Sequence, residues 1–222
     1  MKKKLIIILL LILCITLVGC KKKSKEEVIE SIGGWKLDKT AKKMNIDSKA
    51  EKAYKTAVKS YKDGNLELIS LLGTQVVSGT NYMFLCKETK DKTINYYFVT
   101  VYYDLKGNAK ITKKSRLKIE DYVRKDISYN DSIKTGGWTV YKNIGSSKLK
   151  KSQQEIFNKA IENESSKYKP ICLLATQLVA GENYAFLALN ESNETINIIT
   201  VYKDIEDNIE LTSIAYVDLA DF

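Results

Sequence analysis

One octet that returns once constrains this chain more than any other feature. Gln75, Val76, Val77, Ser78, Gly79, Thr80, Asn81 and Tyr82 come back 102 residues later as Gln177, Leu178, Val179, Ala180, Gly181, Glu182, Asn183 and Tyr184. Gly33, Gly34 and Trp35 return as Gly136, Gly137 and Trp138, and Thr100, Val101 and Tyr102 return as Thr200, Val201 and Tyr202. The segment Ile119 to Tyr122 corresponds to Leu219 to Phe222. A long period seen only twice marks tandem modules and not a solenoid. The modules are placed at residues 33–122 and 136–222, with a linker at 123–135. At roughly 90 residues each, they can bury one core apiece.

The chain opens with Lys2, Lys3 and Lys4, then an apolar run from Leu5 to Val18. This reads as the basic and apolar regions of a signal peptide over residues 1–19, too short to span a bilayer comfortably. Leu17, Val18, Gly19 and Cys20 close it and resemble the lipobox of bacterial lipoproteins. The resemblance implies cleavage before Cys20, acylation of its thiol with palmitate-type chains, and a lipid-anchored location outside the cytoplasm. Residues 20–32 then form a polar tether. Acyl chains contribute about 0.8 kcal/mol per buried CH₂, enough in combination to hold a body on a membrane. Removing Lys2, Lys3 and Lys4 lowers the formal net charge from +9 to +6. Lys21, Lys22, Lys23 and Lys25 lie where anionic headgroups would be. No basic stripe with interleaved aromatics appears elsewhere, so nucleic acid is not an expected partner.

Within each module, one helix precedes several strands. Ser48 to Glu51 fits a capping box, and Ala50, Ala53, Tyr54, Ala57, Val58 and Tyr61 recur at helical spacing. This predicts a helix from Lys49 to Asp63, stopped by Gly64. In the second copy Ser152 to Glu155 is the capping box, and Ile156, Phe157, Ala160 and Ile161 form the stripe. The two helices align best at an offset of 103, which puts one set of caps a residue out. Leu66 to Val77, Asn81 to Cys86, Ile94 to Tyr103 and Ala109 to Leu117 read as strands. Lys87 to Lys92 and Asp104 to Asn108 read as turns. Pro170 is expected just before the second module's first long strand. The fold class is therefore α+β, with a helix covering one face of an antiparallel sheet in each module.

The octet resembles the Gln-Val-Val-Ala-Gly signature of cystatins, and is closest to the stefin branch, in which Thr-Asn-Tyr follows. The order of paired glycines, helix, signature and strands is similar too, as is the ending Asp218, Leu219, Ala220, Asp221, Phe222. The resemblance implies two tandem cystatin-like domains, each a helix gripped by a curled sheet. It also implies reversible wedge inhibition of papain-like cysteine proteases. The first edge of the wedge would be Gly33 or Gly34 in module one and Gly136 or Gly137 in module two. The second would be Gln75, Val76, Val77, Ser78 and Gly79, and then Gln177, Leu178, Val179, Ala180 and Gly181. Two apolar residues beside a turn glycine suit a narrow apolar cleft, and the glycine would let the backbone approach a partner closely. Replacing Gly79 and Gly181 with bulky residues is expected to abolish inhibition and leave the fold intact. The family often has Pro-Trp at a third edge. Here that place holds Asp104, Leu105, Lys106, Gly107 and Asn108, then Asp204, Ile205, Glu206, Asp207 and Asn208. Leu105 and Ile205 could partly substitute.

Nothing in the chain points to catalysis. It has no histidine, which removes Ser-His-Asp and Cys-His arrangements and His-ligated metals. It has no Walker loop or GxGxxG, so no cofactor is expected. Cys14 leaves with the signal peptide, and Cys86 and Cys172 read as buried free thiols. Trp35 and Trp138 read as core residues, and Asn81, Tyr82, Asn183 and Tyr184 as strand residues that lock their hairpins. The chain is expected to be a monomer. Two functions stay open: a surface-anchored protease inhibitor, or a non-inhibitory binding or structural lipoprotein with the same fold.

Overall fold

The computed structural model describes residues 34–39, 46–91, 93–123, 137–140 and 149–222. The signal peptide, Cys20 and its tether, Gly33, Gly136 and nearly all of the linker lie outside the described residues. Helix α1 runs Ser48–Val58 and buries Ala50, Ala53, Tyr54 and Ala57. Its cap is Asp47, one residue before the expected Ser48, because the Asp47 carboxylate accepts from the Ala50 N–H at 3.3 Å. The helix ends five residues short of Asp63. Beyond Val58 the chain turns so that the Tyr61 hydroxyl donates to Glu88. Helix α2 runs Lys151–Ala160, and its cap is Lys150, two residues ahead of the expected Ser152. There the Lys150 N–H donates to Gln153 Oε1 at 3.0 Å. The two caps stand 103 residues apart, the offset at which the apolar stripes align.

Each module carries a five-stranded antiparallel sheet. The first contains β1 (Lys36–Leu37), β2 (Asn65–Val77), β3 (Gly79–Lys90), β4 (Thr93–Asp104) and β5 (Ala109–Arg116) in sequence order. The second contains β6 (Thr139–Val140), β7 (Tyr168–Val179), β8 (Gly181–Asn190), β9 (Thr195–Lys203) and β10 (Ile209–Val217) in the same arrangement. Register shifts recur at matching places, Leu68/Ser70 and Leu71/Gly73 in β2 against Pro170/Cys172 and Leu173/Ala175 in β7. Such bulges bend and twist a strand. Strand β3 runs four residues beyond the expected Cys86, leaving only a short turn before β4. Pro170 lies inside β7 and not ahead of it. Among the described residues β6 covers only Thr176 and Ala175, and none pairs with β7 at Pro170 on that side, where a strand proline is tolerated.

Residues 32–222 form one compact unit. Each sheet packs its own helix on one face. In module one Tyr54 and Ala57 meet Leu71, Tyr82, Phe84, Val99 and Val101. In module two Ile156 and Phe157 meet Leu173, Tyr184, Phe186, Ile199 and Val201. The opposite faces of the two sheets are buried in a third core that draws on both modules. Module one supplies Ile69, Leu72, Met83, Leu85, Tyr96 and Phe98, and module two supplies Ile171, Leu174, Ala185, Leu187, Ile196 and Ile198. Trp35 and Trp138 pack against this shared core. The modules are therefore more than two beads with a core apiece. Burying a Leu, Ile or Phe is worth about 1.5–3 kcal/mol, so the inner faces hold the two modules together.

Module one's N-terminal edge, Trp35 and Leu37, lies beside Glu194, Thr195 and Ile196 of module two, where Lys39 pairs with Glu194 at 2.5 Å. Glu194 is at the far end of β8 from Gly181, about 30 Å away at ~3.3 Å per residue. Trp35 is near the β2–β3 turn of its own sheet. The two octet turns thus sit at opposite ends of the paired sheets.

Candidate functional site

The octets form the tips of the β2–β3 and β7–β8 hairpins. Val77 pairs with Gly79 and Val179 with Gly181, leaving only Ser78 or Ala180 at the bend. The next hairpin lies alongside, since Gly79 is opposite Asp104 in β4. The Tyr102 hydroxyl donates to the Ser78 carbonyl at 3.0 Å and ties the two tips together. Tyr202 does the same for Ala180. Lys36 pairs with Thr74, so two residues further on the register brings Gly34 level with Val76. Thr139 pairs with Thr176, which brings Gly137 level with Leu178. Gly34 or Gly137, the octet tip and the β4–β5 or β9–β10 tip thus meet at one end of each sheet. Gly34 and Gly137 are both exposed.

Apolar exposure concentrates at these ends. Val76 is 49% exposed, Leu178 76%, Leu105 88% and Ile205 84%. Four of the five large exposed apolar side chains among the described residues are therefore at matched tip positions. Within the octets, Val76 and Leu178 face out, while Gln75, Val77, Gln177 and Val179 are half-buried. The Asn81 amide donates to Gln75 Oε1 at 2.7 Å, and the Asn183 amide donates to Gln177 Oε1 at 2.9 Å. Both bonds brace the hairpin. Tyr82 and Tyr184 are buried strand residues.

The expectation that the two turn glycines could be replaced with the fold left intact needs correction. A Cβ on Gly79 would fall 2.5 Å from the Tyr103 carbonyl oxygen, and one on Gly181 would fall 2.3 Å from the Lys203 carbonyl oxygen. Gly181 also has φ +121, which side chains disfavour. These glycines admit the chain's own neighbouring strand, so replacing them would disturb the hairpin and not merely block a partner. Gly137 is different, with no atom among the described residues within 4 Å of where its Cβ would sit.

The second hairpins are fixed by their own chemistry. Asp104 Oδ1 accepts from the N–H groups of Lys106 and Asn108, each at 2.8 Å, and Oδ2 accepts from the Asn108 amide at 2.8 Å. Asp204 repeats all three bonds with Glu206 and Asn208. These bonds, first of all that from the Asn side chain, hold both carboxyls below the usual aspartate range. The positive-φ position is Gly107 in one copy and Asp207 in the other. The turns thus present Leu105 and Ile205 on preset backbones. Sequence reasoning gave these two residues only a supporting part. The missed signal was the repeated Asp-x-x-x-Asn pair, which marks a self-bonded turn.

The densest polar cluster, Tyr61, Glu88 and Lys114, spends its hydrogen bonds internally and lies toward the other end of the sheet, with Lys114 Nζ 2.6 Å from Glu88 Oε1. Cys86 and Cys172 are buried free thiols, and burial pushes both far above the ordinary thiol range. Among the described residues no group of His, Cys, Asp or Glu could hold a metal ion, and no helix is long and apolar enough to cross a membrane. No protein-family model and no curated protein matches the chain.

Proposed function

We propose that this chain is a membrane-anchored, surface-exposed inhibitor with two cystatin-like modules, blocking papain-like cysteine proteases by reversible wedge binding. The observation that carries this reading is the pairing of Val76 with Leu105, and of Leu178 with Ile205, as exposed apolar side chains on braced tips. Exposed apolar groups on a rigid scaffold lose little freedom on binding and suit a narrow desolvated cleft. No group in the tips needs to react, so blockade would be steric and reversible. Anchoring through Cys20 would keep the chain at the membrane.

Titration of papain with the lipid-free chain, Lys21 to Phe222, tests this. The expected result is stoichiometric loss of activity with an endpoint of two papain molecules per chain, because the tips sit at opposite ends. Working ends are best counted with tip variants. A separated module would expose the inner face that holds Leu85, Tyr96 and Phe98. The charged third-edge turns and the missing Pro-Trp favour a second reading, a non-inhibitory binding or structural lipoprotein. A folded chain that leaves papain fully active at high micromolar concentration would decide for it.

A further inference from the structure

The two tips match in apolar residues and differ in charge. The β4–β5 turn region, residues 103–110, holds Lys106 and Lys110 against Asp104, while residues 203–210 hold Asp204, Glu206, Asp207 and Glu210 against Lys203. Lys106 and Lys110 are exposed, and so are their counterparts Glu206 and Glu210. Asp104 and Asp204 are occupied by their own turns, and Lys203 is paired with Asp207 at 2.5 Å. Thr80 in the first octet becomes Glu182 in the second. Lys49 lines the hollow beside Leu105 and Lys106 in module one. The corresponding helix start in module two carries an exposed Lys150 and a Lys151 that lies 3.8 Å from Glu155, which sets one lysine without an ion pair among the described residues against Glu182, Glu206 and Glu210. The balance of exposed charge around the apolar tip is positive at the first end and negative at the second.

We propose that the two ends are sorted for different partners: the Val76–Leu105 end for a cleft with an acidic rim, and the Leu178–Ile205 end for a cleft with a basic rim. The identity of the cleft rests on the protease reading above. The apolar tips would supply burial at both ends, while the rim charges would set which cleft each end approaches. Rim charges act mainly on the rate of encounter, and they do so within a screening length of about 10 Å at ~0.1 M salt. Because the ends are about a sheet length apart, each would act on its own partner with little crosstalk through solvent.

The test uses papain and the two-module chain with one end silenced at a time. Val76→Ser with Leu105→Ser silences the first end, and Leu178→Ser with Ile205→Ser silences the second. Association rates are read at about 20 mM and about 200 mM salt, a range over which screening becomes strong. The expected result is that the two ends respond to salt in opposite directions. Lys106→Glu with Lys110→Glu on the first end, and Glu206→Lys with Glu210→Lys on the second, should exchange those responses. Each swap should move the low-salt rate by about tenfold, in opposite directions at the two ends. Equal salt responses that the swaps leave unchanged, with inhibition intact, would overturn charge sorting and spare the protease reading. Failure of both ends to inhibit would overturn the two together.

Discussion

The helix-facing cores and the inner faces are built from the same repeat, yet they treat it differently. On the helix faces the copies agree. Tyr82 stacks on Phe84 at 6.0 Å, and Tyr184 stacks on Phe186 at 6.1 Å. Tyr54 meets Phe84 edge-on at 5.4 Å, and Phe157 meets Phe186 edge-on at 5.2 Å. On the inner faces they diverge in size. Met83, Tyr96 and Phe98 of module one correspond to Ala185, Ile196 and Ile198 of module two. A helix face has to fit only its own helix, so the same solution serves twice. The inner faces have to fit each other, and bulk on one side needs room on the other. Two copies of the first module's inner face would overfill the space, and two of the second would leave a void.

The largest test of this contrast is Phe98→Ala. Phe98 is fully buried and its ring lies 4.4 Å from that of Phe222. Truncation should cost about 3–5 kcal/mol, as for other large-to-small core changes. Denaturant unfolding followed by probes in both modules should still show one transition. Two separate transitions, with only module one weakened, would show that the inner faces do not couple the modules. Gly181→Ala comes next. The contact with the Lys203 carbonyl and the φ of +121 predict a loss of about 1–3 kcal/mol, read from the thermal midpoint. No loss would mean that the hairpin gives way easily, and would return the glycine to a role at the partner surface.

A smaller effect probes the mismatch in size directly. The Thr100 hydroxyl donates to Met83 sulfur at 3.7 Å, but the Thr200 hydroxyl faces the Ala185 position and has no hydrogen-bond partner among the described residues. Thr200→Val should therefore raise stability by about 1 kcal/mol, while Thr100→Val should be close to neutral. Equal effects at the two sites would remove that asymmetry. Smaller still for folding, Leu178→Ser should change stability by less than about 0.5 kcal/mol. Combined with Ile205→Ser, it should halve the number of papain molecules bound per chain. Least of all, mild acid should leave the second hairpins alone. Their aspartates titrate below the ordinary value of about 3.9, so the order they contribute is complete above it and is lost as pH falls through the lower folded value. Exchange protection of the Lys106 and Asn108 amides, measured against unfolded-chain rates, should hold at pH 4.5 (about 0.6 above that value) and fail only below it. Earlier loss would show that Asn108 does not hold the carboxylate.

Much of the architecture was legible because it rests on local chemistry. The alanine and tyrosine stripe of α1, the four long strands of each module and the repeat itself could all be read directly. The shared core was hidden for a physical reason. Strands such as β3 and β4 are buried on both faces, so the period-two alternation that would mark an outer surface is missing. Leu85 and Tyr96 look like their neighbours Phe84 and Tyr97, and only packing assigns them to different cores. The short edge strands β1 and β6 escaped because two residues carry no pattern. The octet showed where the tip lies, while alternation alone left open that Val76 faces out and Val77 is half-buried. The turn glycines were read toward a partner because a sequence does not show how closely β4 approaches Gly79.

The shared inner face also imposes a timetable on folding. Residues 69–98 of module one are covered by residues 171–219 of module two, about a hundred positions further along the chain. At roughly 5–20 residues per second of synthesis, the first module waits several seconds or longer with Leu85, Tyr96 and Phe98 open to water. A newly made chain is therefore most prone to self-association midway through its production, and the second module is the first module's natural cover.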